Sequence, residues 1–270
     1  MERQKQEIVA EFESVTLRFE DKVALQDVSF AVERGETKIV LGAAGSGKSV
    51  LLKLTMGLLR PDEGRITVFG REISNQSEEE LFEVRRQVGM VFQEGALFDS
   101  LTVGENVGYV FERMPTVSAE EAERRVREAL RFVELEDTYE LYPSELSGGM
   151  RRRVAIARAV VGQPELMLYD SPTAGLDPIT AARIMTLLVR QRDTRQVSSL
   201  LVTHRVQDAM LMAQSRYDAR RERLVAAGED GVGRETHTRF LVLREGETAF
   251  HGSLDELAAQ RDPYLQKFLA

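Results

Sequence analysis

Cysteine is absent from the 270 residues of this chain. Its absence excludes disulfides and thiolate metal sites and is compatible with a cytosolic protein. No apolar run reaches the length of about 18 residues that a membrane-spanning helix needs, and the polar N-terminus lacks the apolar core of a secretory signal. An excess of basic residues is also lacking: the formal net charge is −8, which argues against non-specific nucleic-acid binding. We therefore expect a protein that works at a membrane only by docking onto a membrane-embedded chain.

The order of the apolar segments predicts an α/β fold. Short apolar runs, typical of strands covered on both faces, alternate with helical patterns, which indicates a largely parallel sheet. With 43% apolar and 30% charged residues, the composition is that of a globular protein, and we expect one domain over residues 1–270. An antiparallel β layer is predicted before the parallel sheet, within residues 7–32. The predicted core strands are 37–42, 87–92, 165–170 and 198–203.

Two segments interrupt this alternation. Residues 95–145 are mostly helical in pattern and are interpreted as an inserted helical subdomain, in which Ser118 and Glu121 form a capping-box pattern at a helix start. Residues 218–238 are rich in glycine and charge, which predicts an exposed loop insertion, partly helical near its start. One apolar face of the helix that begins at Ser118 is predicted from helical spacing; it consists of Ala122, Val126, Ala129, Leu130 and Val133.

The segment after the first predicted core strand has the spacing of a phosphate-binding loop. It matches G-x-x-x-x-G-K-[ST] between a strand and a helix, and this context favours the motif over an ordinary glycine-rich turn. Glycines allow successive N–H groups to converge on an anion, and the helix N-terminus adds its dipole. Lys48 is expected to reach the outer phosphates of ATP, and the Ser49 hydroxyl to bind Mg²⁺. The loop consists of Gly42, Ala43, Ala44, Gly45, Ser46, Gly47, Lys48 and Ser49.

Asp170 is the expected partner of this loop. It ends the apolar run 165–170, and the carboxyl ends of parallel strands are where α/β sheets bind ligands. An aspartate in this position often caps a loop. Together with the phosphate-binding loop, however, it indicates a ligand that holds Mg²⁺ through water.

A third motif carries a family resemblance. Residues 146–150 read LSGGM and are followed by RRRVAIARAV; this closely resembles the LSGGQ signature and the helix that follows it in the ABC ATPase family. Without the preceding phosphate loop, Ser-Gly-Gly would be better interpreted as a turn that opens a helix. The resemblance covers nearly the whole chain. It implies that Ser147, Gly148 and Gly149 complete the nucleotide site of a second copy, with Ser147 and Gly149 at the γ-phosphate, where a second helix N-terminus meets the same anion.

The same resemblance implies roles for four further residues. Phe19 matches the aromatic residue that stacks on adenine, with a core phenylalanine as the alternative. Gln93 matches the Q-loop residue that contacts Mg²⁺ and links the site to the helical subdomain. Asp177 belongs to a D-loop, residues 174–177, that faces the partner subunit. His204 matches the histidine that contacts the γ-phosphate, whereas a lone histidine after a strand is usually structural.

Ser171 departs from the family pattern. The family has glutamate after the aspartate of this strand, where it polarises the attacking water, and a serine hydroxyl cannot serve as a general base at neutral pH. Three explanations are open: an engineered substitution that traps the ATP-bound dimer, a natural one with hydrolysis supported by His204 and other groups, or an ATP-dependent clamp with little turnover. ATP binding is expected in each case.

Within the family, the chain is similar to the ATPases of Mla and Mce-type lipid transport systems. The similar stretches are residues 95–107, 146–159 and 173–180. The resemblance implies transport of phospholipids or other hydrophobic molecules between bacterial membranes, with related amino-acid importers as the alternative. It also implies three kinds of partner: a second copy of the chain, a membrane-embedded permease and a substrate-binding MCE protein.

The implied location is the cytoplasmic face of the inner membrane, where the permease holds the chain. A groove beside Gln93, bordered by Glu94 and Phe98, is the expected dock for a short coupling helix of that permease. A translation or DNA-repair factor of the same family is a weaker interpretation, because translation-type members usually carry two ATPase domains and more basic surfaces, whereas this chain is expected to form one domain and is acidic.

Overall fold

Strands and helices follow one another through the part of the chain that the computed structural model describes, residues 7–20, 22–114, 116–229 and 236–269. The strands are β1 (Ile8–Phe19), β2 (Lys22–Glu33), β3 (Thr37–Gly42), β4 (Glu63–Val68), β5 (Arg71–Glu72), β6 (Val88–Val91), β7 (Leu166–Asp170), β8 (Ser198–Val202), β9 (Ser215–Asp218), β10 (Arg223–Ala226), β11 (Thr238–Arg244) and β12 (Glu247–Gly252). The helices are α1 (Lys48–Thr55), α2 (Glu78–Arg85), α3 (Val103–Gly108), α4 (Ala119–Phe132), α5 (Gly148–Val160), α6 (Pro178–Arg195), α7 (Val206–Gln214), α8 (Leu254–Ala258) and α9 (Pro263–Gln266). Short 3₁₀ helices cover Tyr109–Arg113, Glu136–Thr138 and Pro143–Glu145.

The main sheet has the strand order β12-β11-β3-β8-β7-β6. Strands β11 to β6 pair in parallel, and β12 pairs antiparallel with β11 at the edge. Every residue of β3 and β8 is buried, as expected for strands covered on both faces. Because β3, β8, β7 and β6 run in the same direction, their carboxyl ends meet at one edge of the sheet. The predicted α/β fold with a parallel sheet is confirmed.

A second, antiparallel sheet forms the predicted N-terminal layer, in the order β2-β1-β4-β5. Phe12 lies opposite Phe30, and the two rings stack with their centroids 4.6 Å apart. Helix α1 packs between the two sheets, because its Leu51, Leu52 and Leu54 are fully buried in an apolar core to which both sheets contribute. This packing fixes the start of α1 at the carboxyl end of β3.

Helices α3, α4 and α5 occupy the chain between β6 and β7. The predicted apolar face of α4 is largely buried, with Ala122 at its partly buried edge. Ser118 caps the helix by accepting from the Glu121 amide at 3.2 Å. The Glu121 carboxylate, however, pairs with Arg124 and Arg125 instead of turning back to the cap, so the predicted capping box is only half formed. The limits 95–145 for a subdomain stay a prediction.

The segment 218–238 contains a β-strand near its start. Strand β10 pairs antiparallel with β9, and the hairpin packs against α6. The predicted partly helical start is therefore wrong, because backbone pairing with β9 takes the place of a helical turn. Residues 230–235 of the predicted insertion lie outside the described residues. No helix within the described part of the chain combines the length and the hydropathy required to cross a membrane.

Candidate nucleotide-binding site

The predicted phosphate-binding loop connects β3 to α1, and two of its glycines are required by close contacts. At Gly42, with φ of 152°, a Cβ atom would lie 2.5 Å from the Leu243 carbonyl oxygen. At Gly47, with φ of 96°, a Cβ atom would lie 2.5 Å from the Ala24 carbonyl oxygen. Both backbone conformations are ones that glycine adopts readily. The loop is therefore held between β11 on one side and the antiparallel layer on the other.

The Lys48 side chain lies inside this loop. Its Nζ donates to the carbonyl oxygens of Gly42 at 2.8 Å and Ala43 at 2.7 Å. Burial lowers the pKa of Lys48, and the nearby Asp170 carboxylate partly offsets this effect. Since Gly47 is the N-cap of α1 and has no side chain to cap it, the helix start presents its amides and its positive dipole end to the loop. An ammonium held by neutral carbonyls beside a helix N-terminus is complementary to an anion.

Ser49 and Asp170 face each other at the edge of the main sheet. Ser49 is in the first turn of α1, Asp170 ends β7, and the Ser49 hydroxyl donates to Asp170 Oδ1 at 3.2 Å. Strand β8 lies between the two strands that bring these residues together. Hydroxyl and carboxylate oxygens are the donors that Mg²⁺ prefers, so this pair fits a magnesium ion bound beside phosphates. Among the described residues no group of three or more His, Cys, Asp or Glu side chains could hold a metal.

The signature segment and the D-loop are neighbours on the surface. Ser147 is the N-cap of α5 and accepts from the Met150 amide at 3.2 Å, while Asp177 caps α6 by accepting from the Thr180 amide at 3.0 Å. A Cβ atom on Gly149 would lie 2.6 Å from Thr180 Cγ2, so the starts of the two helices are in close contact. Ser147, Gly148 and Asp177 are exposed.

Comparison with known sequences decides the family. Residues 25–174 match the protein-family model described as "ABC transporter". The chain belongs to the ABC transporter family. The matched residues include the phosphate-binding loop, Asp170 and the signature segment, so the resemblance stated from the motifs is confirmed.

One relative of this ABC transporter chain is the intermembrane phospholipid transport system ATP-binding protein MlaF of Haemophilus influenzae. The two sequences are 34% identical over 218 residues, which cover 81% of this chain and 83% of MlaF. The methionine import ATP-binding protein MetN of Bifidobacterium longum is 35% identical over 248 residues, which cover 92% of this chain and 56% of MetN. This chain thus spans little more than half the length of that MetN. Among solved structures, this chain is similar to the ATP-binding cassette MJ0796, in a dimeric post-hydrolysis state bound to ADP and Pi. The sequences are 30% identical, the TM-score is 0.75, and the match covers 91% of this chain and 98% of the MJ0796 chain.

Ser171 follows Asp170, at the position where the family resemblance predicts a glutamate. It is 7% exposed, its φ is 46°, and its amide donates to the Val202 carbonyl at 2.8 Å. This bond extends the pairing of β7 with β8 by one residue, and the left-handed conformation then turns the chain away from the sheet. The position next to Asp170 therefore carries a buried hydroxyl and no carboxylate.

The other residues predicted from the ABC resemblance follow strand ends. Gln93 comes after β6 and His204 after β8, and both are exposed at the edge of the sheet that also carries Asp170. Phe19 ends β1 and is 45% exposed, so the alternative interpretation of Phe19 as a core residue is wrong. An exposed ring at this position is available for stacking.

Arg152 of α5 was not predicted from the sequence. It is 7% exposed, and its guanidinium donates to the Phe92 carbonyl at 3.2 Å and the Ala174 carbonyl at 3.4 Å. These carbonyls belong to the segments of Gln93 and of the D-loop. Burial lowers the pKa of Arg152, and the Glu94 carboxylate opposes this effect. Backbone carbonyls are available from every residue type, so no sequence pattern marks this bridge.

Tyr264 of α9 was also missed. Its hydroxyl donates to the Leu243 carbonyl at 2.7 Å and accepts from the Ala43 amide at 3.1 Å. The C-terminal part of the chain thus contacts the phosphate-binding loop across a separation of 221 residues. The phosphate-binding loop of this ABC transporter chain is therefore contacted by a segment that lies outside residues 25–174, the region that matches the family model.

Proposed function

We propose that this chain binds Mg-ATP and hydrolyses it as the ATPase subunit of a membrane transporter for phospholipids or other hydrophobic molecules. The observation that carries the proposal is the Ser49–Asp170 contact of 3.2 Å beside the Lys48 ammonium in its loop. This contact supports the proposal, because an ammonium suited to phosphates lies near two oxygens suited to Mg²⁺. This is the arrangement that the binding of a nucleoside triphosphate requires.

Each candidate residue has a proposed part in this site. Lys48 neutralises the outer phosphates, while Ser49, Asp170 and Gln93 hold Mg²⁺ directly or through water. His204 contacts the γ-phosphate and supports the attack of water, because Ser171 cannot take a proton. The proposed nucleotide contacts are those of Phe19, Gly42, Ala43, Ala44, Gly45, Ser46, Gly47, Lys48, Ser49, Ser147, Gly148, Gly149 and Asp177.

A second copy of the chain is the proposed partner at the nucleotide. Three exposed residues, Ser147, Gly148 and Asp177, contact the nucleotide bound by the other copy rather than the one bound by their own chain. They thereby complete the nucleotide site of the other copy. The dimeric structure of MJ0796 with ADP and Pi supports an arrangement of this kind. Sedimentation of the purified chain with and without Mg-ATP measures it: nucleotide-dependent dimers are expected, and an unchanged monomer at saturating Mg-ATP contradicts the proposal.

The proposed dock for the permease is the groove beside Gln93. Phe98 is 42% exposed there, and its ring lies 4.8 Å from that of Tyr109. Arg158 restrains the chain beside the groove, since it donates to the Gly95 and Ala96 carbonyls at 2.8 and 2.7 Å. We propose that this surface holds the chain at the cytoplasmic face of the inner membrane, in a complex that also contains an MCE-type substrate-binding protein.

The similarity to MlaF supports phospholipid as the cargo, whereas the similarity to MetN supports methionine as the alternative. The experiment that separates them uses the complete transporter, purified through a tag on this chain and kept in detergent solution without lipid. Mg-ATP hydrolysis is measured with added phospholipid and, separately, with added methionine. Stimulation by phospholipid alone is expected. Stimulation by methionine alone contradicts lipid transport but leaves the ATPase assignment intact.

A second candidate function rests on Ser171. A dimer that binds ATP without appreciable hydrolysis would act as an ATP-dependent clamp, and the buried hydroxyl beside Asp170 favours this candidate. The clamp predicts two results for the wild-type chain. It dimerises when ATP is added, and its rate of ATP hydrolysis equals the background rate of a variant that cannot bind ATP. Turnover well above that level excludes the clamp.

A further inference from the structure

The C-terminal helices α8 and α9 lie outside residues 25–174, the part of the chain that matches the family model. They are nevertheless docked firmly, because Leu257 and Leu265 are buried in the main apolar core. Beside them, the rings of Tyr264 and Phe268 meet edge to face with centroids 5.4 Å apart. Apolar packing therefore holds this segment in place independently of any polar contact that it makes.

The polar contact made by this segment is with the phosphate-binding loop. The Tyr264 hydroxyl donates to the Leu243 carbonyl at 2.7 Å and accepts from the Ala43 amide at 3.1 Å. The same Leu243 oxygen would lie 2.5 Å from a Cβ atom on residue 42, as would the Ser46 Oγ atom, so a side chain at residue 42 would collide with both. One hydroxyl thus joins the Leu243 carbonyl near the end of β11 to the Ala43 amide of the loop.

The position of the Tyr264 ring is itself determined by several contacts. Asp262 caps α9 by accepting from the Tyr264 amide at 2.7 Å. Arg244 pairs with Asp262 at 3.5 Å and lies over the Tyr264 ring, 5.2 Å from its centroid. Because packing, capping and a cation–π contact all restrain the ring, its hydroxyl is held ready for the loop rather than being placed there by the loop.

We propose that Tyr264 is a positioning residue that holds the phosphate-binding loop in its open, anion-accepting shape and thereby sets the affinity for Mg-ATP. This inference rests on the proposed function. Residues 43–45 are exposed. Lys48 Nζ and the Ser46 amide donate to the Ala43 carbonyl at 2.7 and 3.2 Å from within the loop, whereas the Tyr264 hydroxyl bonds to the Ala43 amide from outside it. The Tyr264 bond therefore ties this exposed part of the loop to the rest of the folded chain. A loop that is already ordered loses less entropy when it binds phosphates.

The test compares Tyr264→Phe with the wild type in the full-length chain. This change removes the hydroxyl and keeps the ring contacts. The Kd for Mg-ATP is expected to rise about three- to tenfold, the usual effect of one hydrogen bond. Because the hydroxyl also bonds to the Leu243 carbonyl, Tm is expected to fall by only about 2–4 °C. Hydrogen exchange at the Ala43 amide is expected to be faster in the variant without nucleotide. In the complete transporter, KM for ATP is expected to rise while kcat stays the same.

Tyr217→Phe is the control, because Tyr217 packs against α6: its backbone amide donates to Asp193 at 2.7 Å and its ring lies 5.5 Å from the Arg190 guanidinium. It is expected to leave Kd and Ala43 exchange unchanged. Unchanged Kd and exchange in Tyr264→Phe overturn the inference alone, as does a weaker Kd accompanied by a marked loss of Tm, which would make Tyr264 an ordinary packing residue. Absence of Mg-ATP binding by the wild type itself overturns the proposed function, and the inference with it.

Discussion

The Ser49 hydroxyl donates to Asp170 Oδ1 at 3.2 Å across a sequence separation of 121 residues. Strand β8 is the physical reason for this contact. It pairs in parallel with β3 on one side and with β7 on the other, so the chain after β3 and the last residue of β7 meet at the same edge of the sheet.

Ser171→Glu is expected to raise the steady-state rate of Mg-ATP hydrolysis in the purified transporter at least about tenfold, since general-base catalysis is typically worth about 10²–10⁴ in rate. Ser171→Gln is the matched control, because it has the same size and the same left-handed backbone position, where φ is 46°, but no carboxylate. If all three proteins turn over at similar, readily measured rates, the carboxylate is dispensable and another group such as His204 supports the attack.

Lys48→Met is expected to weaken Mg-ATP binding about 10- to 100-fold, the effect of losing a charge-assisted contact to phosphate. It should not lower Tm, because burial of the ammonium is itself unfavourable. Lys53→Met is the control on the same helix, where Lys53 is exposed. Calorimetric titration with Mg-ATP and thermal unfolding provide the two measurements. Equal affinities in the two variants would remove Lys48 from the proposed site.

Arg152→Met is expected to lower kcat about three- to tenfold with little change in Mg-ATP affinity, because one or two hydrogen bonds that hold the loops on either side are lost. Arg152→Lys should be intermediate, since an ammonium does not reproduce the planar fork of arginine. Arg153→Met is the control: Arg153 donates to the Val133 and Glu134 carbonyls instead. If Arg152→Met lowers the affinity for Mg-ATP by the same factor as kcat, Arg152 does not act only by holding the Gln93 segment and the D-loop together.

The pH dependence of stability is expected to involve His251. Its Nε2 lies 2.8 Å from the Lys38 ammonium, and burial, together with the Lys38 and Arg239 charges, lowers the pKa of His251 to about 4. An unfolded histidine titrates near about 6.5, so between these values the unfolded chain binds more protons than the folded one. Folding stability should therefore fall as the pH decreases from about 6.5 to about 4.

His251→Gln is expected to flatten this part of the Tm profile, because glutamine carries no proton to gain. Thermal unfolding at closely spaced pH values gives the comparison. Parallel profiles for wild type and His251→Gln would assign the acid sensitivity to other groups.

Much of the fold follows from short-range pattern. The predicted strands at 37–42 and 198–203 match β3 and β8 to within one residue, because continuous apolar runs are compatible only with burial on both faces. The segment 218–238 was the weakest part of the prediction. Its charges and glycines indicate exposure, but the pairing of β10 with β9 depends on backbone hydrogen bonds that composition does not encode.

By itself, the sequence determined the phosphate-binding loop, the apolar strands and the signature segment, since each depends on residue types at fixed short spacing. Only the tertiary structure decided that Ser49 meets Asp170, that Arg152 joins two loops and that the Tyr264 hydroxyl bonds to Ala43. The physical reason is that these contacts join segments distant in the sequence, and several of them use backbone groups. Contacts between distant segments depend on strand order, and bonds to backbone amides and carbonyls use groups that almost every residue carries, so their places are set by the path of the folded chain.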